Sequence, residues 1–338
     1  MKINFWKNKK ILITGINGFV GSNLAKTLTQ LGADVHGITL DKKKKSLLFY
    51  EKIDKKCKLY QGNISNKKFI FELLNKKKFE ILFHLAAQVE VGVANKNPLT
   101  TWESNIRGTY NLLNNIVRKK NFKSIIIASS DKSYGSYPKK LLPYKENYPS
   151  KAIYPYDVSK ACADMISQTY ASELFNLPII TTRFSNIYGP GQLHFSALIP
   201  DLARSIIRNV DFIPRGDGND IRDYVYIKDI VDLYLLLAKN LYKKPQLRGE
   251  IFNAGTNQPL TVKEIVRIFY FHKKEFKKFS KVTKLMNKKK TKGEIPYQFM
   301  DYSKLNKFFG WKPKYKFVDT IDEVFEWYKN YFKSYKNL

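Results

Sequence analysis

Residues 9–21 read Lys-Lys-Ile-Leu-Ile-Thr-Gly-Ile-Asn-Gly-Phe-Val-Gly, and this stretch decides the fold of the chain. A short apolar strand ends at Thr14, and Gly15, Gly18 and Gly21 follow it. Glycines permit a tight turn and let the backbone approach a pyrophosphate closely, while the next helix offers its amino-terminal N–H groups to that charge. The stretch therefore predicts a dinucleotide-binding turn.

The residues after the turn continue this pattern. An amphipathic helix is predicted over Phe19–Leu31 and a second strand over Val35–Leu40, with Asp41 directly after it. Asp41 follows Gly21 by about 20 residues, where an acid can bind the ribose of a dinucleotide. Such a carboxylate accepts bonds from a 2′-hydroxyl and repels a 2′-phosphate. The sequence therefore predicts NAD rather than NADP, although Lys42–Lys45 could neutralise the repulsion.

Farther along, strands and helices alternate at the spacing of βαβ units, which predicts an α/β fold with a parallel, doubly wound sheet. We expect residues 1–184 to form this Rossmann-like domain, with segments near 225–255 returning to it. Residues 185–338 are expected to form a smaller, mixed α/β substrate-binding lobe, with the cleft between the two lobes. Strands are predicted at Ile11–Thr14, Val35–Leu40, Lys58–Gln61, Ile81–His84, Ser124–Ala128 and Pro178–Arg183, and further helices at Leu99–Lys119, Tyr156–Phe175, Val262–His272 and Asp319–Tyr331.

A candidate proton acceptor lies at the start of one predicted helix. Tyr156 and Lys160 are four residues apart and therefore project from the same helix face. An ammonium beside a phenol favours the phenolate and lowers a pKa that is ordinarily about 10. The pair predicts a general base whose pKa approaches the operating pH.

A polar triplet, Ser130-Asp131-Lys132, follows the apolar run Ile125–Ala128, which is interpreted as a buried strand. Its side chains are expected at the carboxyl end of that strand, where open α/β sheets bind ligands. Together with the tyrosine–lysine pair, the triplet places five proton-handling groups around one pocket, which indicates more than a simple oxidation. The structural alternative is an ion pair between Asp131 and Lys132 that only shapes the loop.

Composition limits the class of protein. The chain has 338 residues, two cysteines, Cys57 and Cys162, and four histidines that form no cluster. A metal site is therefore not predicted, and a reducing cytoplasm is expected. No apolar run approaches the roughly 18 residues needed to span a bilayer, so no membrane partner is expected. His84 ends an apolar run and is interpreted as a packed residue rather than a catalyst.

The formal net charge of +31 requires an interpretation. A large positive charge attracts polyanions. The lysines nevertheless lie in short scattered runs such as Lys76–Lys78 and Lys288–Lys290, and no nucleic-acid-binding motif accompanies them. We interpret the charge as a solvated basic surface, do not expect nucleic acid as a partner, and predict an exposed segment at Lys273–Lys292.

With these motifs in view, the chain resembles the extended short-chain dehydrogenase/reductase family, specifically its nucleotide-sugar epimerases and dehydratases, over essentially its whole length. The resemblance rests on the glycine motif, on the tyrosine–lysine pair and on six further motifs in order. These are Gly62-Asn63-Ile64, His84-Leu85-Ala86-Ala87-Gln88, Asn105-Ile106-Arg107-Gly108-Thr109, Asn186-Ile187-Tyr188-Gly189-Pro190-Gly191, Ile221-Arg222-Asp223-Tyr224 and Phe252-Asn253-Ala254-Gly255.

The resemblance implies NAD as cofactor, a nucleotide-diphosphate sugar as substrate, and a homodimer built from the two helices predicted at 99–119 and 156–175. The cofactor-binding residues that it implies are Gly15, Gly18, Phe19, Val20, Gly21, Asp41, Asn63, Ile64, Leu85, Ala86, Ala87, Asn105, Tyr156 and Lys160. The implied substrate-binding residues are Gln88, Asn186, Arg222 and Asn253. The apolar residues expected at the dimer interface are Ile106, Leu112, Leu113, Ile116, Met165, Ile166 and Tyr170.

The triplet separates the members of this group. Epimerases usually carry small or hydroxyl residues at the positions of Asp131 and Lys132, thymidine-nucleotide dehydratases carry Asp-Glu, and CDP-glucose 4,6-dehydratases carry Asp-Lys, as here. The resemblance therefore implies a 4,6-dehydratase of cell-surface polysaccharide synthesis, and a C4-epimerase with the same tyrosine–lysine pair is the alternative. In the dehydratase, Tyr156 would take the C4 hydroxyl proton, Ser130 would hold the C4 oxygen, Lys160 would hold the nicotinamide ribose, Lys132 would take the C5 proton and Asp131 would protonate the leaving C6 hydroxyl.

Overall fold

The computed structural model describes residues 4–41, 45–286 and 294–335. The lysines at 42–44 and at 288–290, and the last part of the segment predicted to be exposed at 273–292, lie outside the described residues. The chain divides into two compact units. The first comprises Met1–Gly135, Glu146–Phe184 and Val231–Asn253, and the second comprises Ser136–Lys145, Ser185–Ile230 and Ala254–Leu338.

The first unit contains the long sheet. In chain order the strands of the protein are β1 (Lys10–Thr14), β2 (Asp34–Thr39), β3 (Lys58–Gln61), β4 (Ile81–His84), β5 (Ser124–Ala128), β6 (Ile179–Phe184), β7 (Asn186–Tyr188), β8 (Ile221–Arg222), β9 (Tyr224–Tyr226), β10 (Ile251–Ala254), β11 (Leu260–Thr261) and β12 (Tyr297–Gln298). Within the described residues, seven of them form one sheet in the order β10-β6-β5-β4-β1-β2-β3. The pairs β1–β2, β2–β3, β1–β4, β4–β5 and β5–β6 are parallel, which confirms the predicted Rossmann-like fold.

Helices connect these strands. They are α1 (Phe19–Gln30), α2 (Leu47–Tyr50), α3 (Lys67–Lys76), α4 (Val91–Lys96), α5 (Pro98–Trp102), α6 (Gly108–Ile116), α7 (Pro155–Ala171), α8 (Leu198–Arg208), α9 (Ile227–Lys243), α10 (Val262–His272), α11 (Phe276–Met286), α12 (Ser303–Phe309) and α13 (Ile321–Ser334). Because helices cover the parallel strands, β4 is buried at every position and reads as a continuous apolar run. One hydrophobic core joins β1, β4 and β5 to α3 and α6.

The helix predicted at Leu99–Lys119 is interrupted, so this prediction is wrong in its continuity. Asn97 caps α5 through its side chain, with Pro98 in the first turn. A single π-helical turn, Glu103–Arg107, then separates α5 from α6. Such a turn inserts an extra residue and changes the direction of the side chains that follow. Periodicity alone does not reveal it, since the apolar pattern continues on both sides.

Two other helices also differ from the predictions. The helix predicted to reach Phe175 ends at Ala171, because Ser172 adopts an extended conformation. The segment predicted to be exposed is helical over Phe276–Met286 and buries Val282 and Met286, so that prediction is wrong for these residues. The helix predicted at Val262–His272 is confirmed, and a capping box between Thr261 and Glu264 begins it.

The second unit carries two small sheets. In the first, β8 pairs antiparallel with β11 and parallel with β12, so the sheet is mixed. In the second, β7 pairs with β9 in parallel. The buried Asp223 carboxylate connects these elements by accepting hydrogen bonds from the backbone N–H groups of Thr256 and Met300. Across both units, none of the described helices has the length and apolar character that a bilayer crossing requires.

Candidate active site

The glycine turn joins β1 to α1. Gly15 has a φ of +71°, and a Cβ there would lie 2.9 Å from the Ala86 backbone, so the turn passes directly beside the residues after β4. A Cβ at Gly21 would lie 2.3 Å from the Gly15 carbonyl oxygen. Gly18 caps α1 without a side chain, and no acid lies in the first helical turn. These features leave the helix amino terminus accessible to an anion and fit a pyrophosphate.

The residues that follow β2 and β3 lie at the same edge of the parallel sheet as the glycine turn after β1. Asn17 of the glycine turn donates from Nδ2 to the Asp41 carbonyl oxygen at 2.9 Å, which keeps this predicted ribose ligand beside the turn. Asn63 follows β3 and is exposed, and its side chain accepts a hydrogen bond from Ser65 N at 2.8 Å. Ile64 is 5% exposed and belongs to the hydrophobic core, so only its backbone is available to a ligand.

His84 ends β4 and lies in a fully buried hydrogen-bonded position. Its Nδ1 lies 2.7 Å from Thr14 Oγ1, and its Nε2 lies 3.0 Å from Thr109 Oγ1. Thr14 Oγ1 also accepts from the backbone N–H of Ala86 at 3.1 Å. Burial lowers the pKa of His84 to about 3, with a smaller effect from the neighbouring Lys160 charge. The neutral imidazole therefore packs and positions the loop 85–88, as its sequence interpretation proposed.

Asn105 lies in the π-helical turn and is 2% exposed. Its side chain accepts from Gln88 N at 2.7 Å and donates to the Gln88 carbonyl oxygen at 3.0 Å. It also donates to Ser159 Oγ at 2.9 Å, and that hydroxyl donates to the Tyr156 carbonyl oxygen at 2.7 Å. This predicted cofactor residue thus positions both the loop after β4 and the first turn of α7.

The triplet after β5 forms a short 3₁₀ turn, Asp131–Tyr134, that Ser130 caps. Ser130 Oγ accepts from Lys132 N at 3.2 Å and donates to Asp131 Oδ1 at 2.9 Å. The same hydroxyl acts on the Tyr156 phenol and lowers its pKa, while Asp131 is 4% exposed. Ser130 therefore bonds the buried Asp131 and acts on the buried Tyr156, which brings the turn and α7 together electrostatically.

The electrostatics of α7 differ from the sequence expectation. Burial raises the pKa of Tyr156, and the carboxylates of Asp131 and Asp157 raise it further, while the Ser130 hydroxyl lowers it. Lys160 donates from Nζ to the Ala128 carbonyl oxygen at 2.9 Å, and burial lowers its pKa to about 8. The expectation that the ammonium holds the phenol pKa below its ordinary value is wrong in this arrangement, because burial and two carboxylates dominate.

The four predicted substrate ligands are divided between the units. Gln88 lies in the loop after β4, and its Oε1 accepts from Thr101 at 2.9 Å. Asn253 is in the first unit, fully buried, and its Oδ1 accepts from the Tyr134 hydroxyl at 2.7 Å. Asn186 and Arg222 belong to the second unit. The Arg222 side chain donates to the Ile221 carbonyl oxygen at 2.9 Å and pairs with Glu294 at 3.4 Å.

Several contributing residues were not among the sequence predictions. Thr14, Thr109 and Ser159 hold His84 and Asn105, and Asp157 acts on the Tyr156 pKa. Thr14 could have been found from the sequence, because it is a polar residue at the end of an apolar strand. No local pattern indicates Thr109, Ser159 or Asp157. In the described ranges, no three His, Cys, Asp or Glu side chains come together as a group that could hold a metal ion.

Comparisons with known proteins identify the family of the chain. A family model described as GDP-mannose 4,6 dehydratase matches residues 12–324. The CDP-glucose 4,6-dehydratase of Salmonella typhimurium is 28% identical over 336 residues, which cover 96% of this chain and 92% of that protein. The UDP-glucose 4-epimerase of Lactobacillus helveticus is 28% identical over 348 residues, which cover 97% and 99%. The structure of a dTDP-glucose 4,6-dehydratase from Bacillus anthracis in complex with NAD has a TM-score of 0.79 and 25% identity, covering 95% and 97%.

Proposed function

This chain belongs to the family described as GDP-mannose 4,6 dehydratase, and on that premise we propose that it is an NAD-dependent nucleotide-sugar 4,6-dehydratase. The predicted membership of the nucleotide-sugar dehydratase and epimerase group is thereby confirmed. The proposed reaction converts a nucleotide hexose, with CDP-glucose as the first candidate, into the 4-keto-6-deoxy sugar. It oxidises C4, eliminates water across C5 and C6, and reduces C6.

One observation carries the choice of a dehydratase. Asp131 and Lys132 lie on the turn that Ser130 caps, and Ser130 and Asp131 both act on the Tyr156 pKa. An elimination needs an acid for the leaving hydroxyl and a base for the C5 proton, whereas epimerisation at C4 needs neither. The turn thus offers the two additional groups beside the group proposed for the oxidation.

The residues around the glycine turn fit NAD, the molecule in the Bacillus anthracis structure. Gly15, Gly18 and Gly21 with the start of α1 would hold its pyrophosphate, and Asp41 its adenosine ribose. Lys160 would hold the nicotinamide ribose. When bound, NAD accepts a hydride from the sugar and returns it later in the reaction, so that no cofactor is consumed.

Tyr156 would take the proton of the C4 hydroxyl, and Ser130 would donate a hydrogen bond to the C4 oxygen. Burial and two carboxylates raise the pKa of this phenol, so its deprotonation requires another group that lowers the pKa. If Asp131 is protonated, it carries no charge and no longer raises the Tyr156 pKa. The elimination requires a protonated Asp131. The same protonation lowers the pKa of Tyr156 and therefore favours its role as the base in the oxidation.

The elimination of water, which follows the oxidation, would use Asp131 and Lys132 of the triplet. The 4-ketone acidifies the C5 proton, which the Lys132 amine would take. Asp131 would give its proton to the C6 hydroxyl, which leaves as water. The acceptor of the C5 proton and the donor to the C6 hydroxyl would be adjacent residues on one short turn, so a single placement of the sugar would serve both transfers.

Arg222 and Asn186 of the second unit are proposed to bind the nucleotide diphosphate. A guanidinium matches phosphate oxygens in geometry and charge, and Arg222 would exchange its long contact with Glu294, at 3.4 Å, for such a partner. We reassign Asn253 from substrate binding to support, because its side chain is fully buried and bonded to Tyr134. Gln88 would contact the sugar from the loop after β4.

Incubation of the purified protein with NAD and a panel of nucleotide sugars tests the proposal. A 4-ketosugar, detected by its ultraviolet absorbance in alkali, is the expected product. A C4 epimer with its 6-hydroxyl intact would instead favour the epimerase, an alternative that the 28% identity to the Lactobacillus enzyme keeps open.

The cofactor choice provides a first prediction. NAD+ should bind at least about tenfold more tightly than NADP+, since the Asp41 carboxylate beside a 2′-phosphate would cost more than about 1.4 kcal/mol. Fluorescence titration of the two dinucleotides measures the ratio. Asp41→Asn should narrow it, because the amide keeps a hydrogen bond but removes the charge. Tighter binding of NADP+ to the wild-type protein would contradict the prediction.

Assembly through α5, α6 and α7 is proposed with a corrected interface. Leu112, Leu113 and Ile116 were expected to contact a partner, but they are fully buried in the core of their own unit. Met165 is 67% exposed and remains available. The other exposed apolar side chains on these helices are Leu99, Trp102 and Tyr110.

A dimer is therefore expected at micromolar concentration by light scattering. Leu99→Glu combined with Met165→Glu should convert it to a monomer, because charges would be buried in the interface without partners. Phe71→Glu on α3, also at an exposed position, is the matched control and should leave the mass unchanged. A monomeric wild-type protein would refute the proposal.

A further inference from the structure

A buried group of side chains holds the end of the catalytic turn opposite Ser130. Tyr134, the last residue of that turn, is 1% exposed. Its hydroxyl donates to Asn253 Oδ1 of β10 at 2.7 Å. The Asn253 backbone N–H in turn donates to Glu146 Oε1 at 2.9 Å. The turn is therefore fixed at both ends, by the Ser130 cap at the start and by Tyr134 at the finish.

Arg183 of β6 lies against the same tyrosine. The guanidinium carbon is 4.6 Å from the centre of the Tyr134 ring, and Nη1 donates to the Glu146 carbonyl oxygen at 3.2 Å. Its Nε donates to Asp164 Oδ2 at 2.6 Å, and both side chains of this ion pair are largely buried. A planar guanidinium can make all three contacts at once, whereas an ammonium cannot.

Asp164 connects Arg183 to the helix that carries Tyr156. Tyr156, Lys160 and Asp164 are spaced by four residues on α7 and share one face of that helix. Arg183 thus bonds the helix that carries Tyr156 and packs on the turn that carries Asp131 and Lys132. A buried ion pair is a weak source of net stability, but it fixes geometry well.

We propose that Arg183 is a positioning residue that sets the distance between the tyrosine on α7 and the acid and base on the turn after β5. The inference rests on the proposed dehydratase function. The turn is only four residues long, so a displacement of Tyr134 passes directly to Lys132 and Asp131. Oxidation uses α7, whereas elimination uses the turn, so a loss of this alignment should slow elimination more than oxidation.

Arg183→Lys tests the proposal, because it retains the charge and loses the planar fork. We expect kcat for the 4-keto-6-deoxy product to fall by about 10- to 100-fold with KM nearly unchanged, the size of effect that a small misplacement causes. Reduced nicotinamide should accumulate by its absorbance, and deuterium from solvent should enter C5 more slowly. Arg208→Lys is the control, since Arg208 also lies 4.6 Å from a ring, that of Phe332, within the second unit.

Tyr134→Phe keeps the ring under Arg183 and removes the hydroxyl that donates to Asn253, so it provides a test even if Arg183→Lys does not fold. It should slow elimination about threefold to tenfold, as expected for one neutral hydrogen bond, and lower the unfolding midpoint, because the buried Asn253 Oδ1 loses this donor. Equal slowing of oxidation and elimination, or no slowing in either folded variant, would overturn the inference alone. A wild-type enzyme that forms no 4-keto-6-deoxy sugar would overturn the proposed function and this inference together.

Discussion

Tyr156→Phe is expected to abolish turnover while cofactor binding persists. The substitution removes the hydroxyl that is the proposed proton acceptor, and it removes very little volume. The loss of a general base costs about 10²–10⁴-fold in rate, or roughly 3–5 kcal/mol of transition-state stabilisation. Steady-state rates with the best nucleotide sugar of the panel measure the loss, and dinucleotide titration measures binding.

Tyr170→Phe, on the same helix, is the matched control, because Tyr170 packs on the hydrophobic core instead of joining the site. The rate of the Tyr170→Phe enzyme should remain within about twofold of the wild type. Tyr170 is only partly buried, and loss of its hydroxyl should cost less than about 0.5 kcal/mol. A Tyr156→Phe enzyme that retains more than about a tenth of the wild-type rate would contradict the role of general base.

Asp131→Asn and Lys132→Met are expected to stop the reaction after its first step. The oxidation at C4 uses neither side chain, whereas loss of water uses both. Reduced nicotinamide should therefore accumulate with an unreleased 4-ketohexose, and the 6-deoxy product should fall by about 10²-fold or more. Absorbance of the bound cofactor and analysis of the released sugar measure the two steps separately.

The pH dependence of the first step should differ between these two variants. Where Asp131 is ionised, its carboxylate is one of the charges that raise the Tyr156 pKa, so Asp131→Asn lowers that pKa. A base with a lower pKa is deprotonated at lower pH, and oxidation in Asp131→Asn should extend to more acidic solution than in Lys132→Met. Equal pH profiles would show that the carboxylate does not act on Tyr156.

Solvent deuterium distinguishes the dehydratase from the epimerase in the wild type. The elimination removes and later replaces the C5 proton, so the dehydratase product should carry deuterium at C5. An epimerase returns the hydride to C4 and leaves C5 unexchanged. Product with an intact 6-hydroxyl and no deuterium at C5 would exclude the dehydratase.

The sequence predicted the strands and the residues at their ends well, because both follow from local patterns. Three predicted strands, at 58–61, 81–84 and 124–128, have the bounds found in the structure. A parallel strand buried on both faces is a short apolar run, and the polar residue after it is readily located. This pattern located the glycine turn, Asp41 and the triplet at 130–132. Each follows a parallel strand, and parallel strands end at the same edge of the sheet.

Features that depend on contacts distant in sequence were not predictable. The π-helical turn that directs Asn105 toward Gln88 lies within an uninterrupted apolar pattern. The burial of Leu112 against α3 and the strands depends on which face of α6 meets the core. The raised Tyr156 pKa depends on burial of the phenol and then on Asp131, which is 25 positions away in sequence.

The buried imidazole of His84 makes the fold sensitive to acid. Its pKa is about 3 in the folded protein, against about 6.5 in an unfolded chain. Between these values the unfolded chain binds the additional proton, so the free energy of unfolding falls as the pH falls through this window. Its contribution is complete above pH 6.5, and each pH unit within the window removes up to about 1.4 kcal/mol. The histidine that fixes the loop after β4 thus also limits how far the protein tolerates an acidic medium.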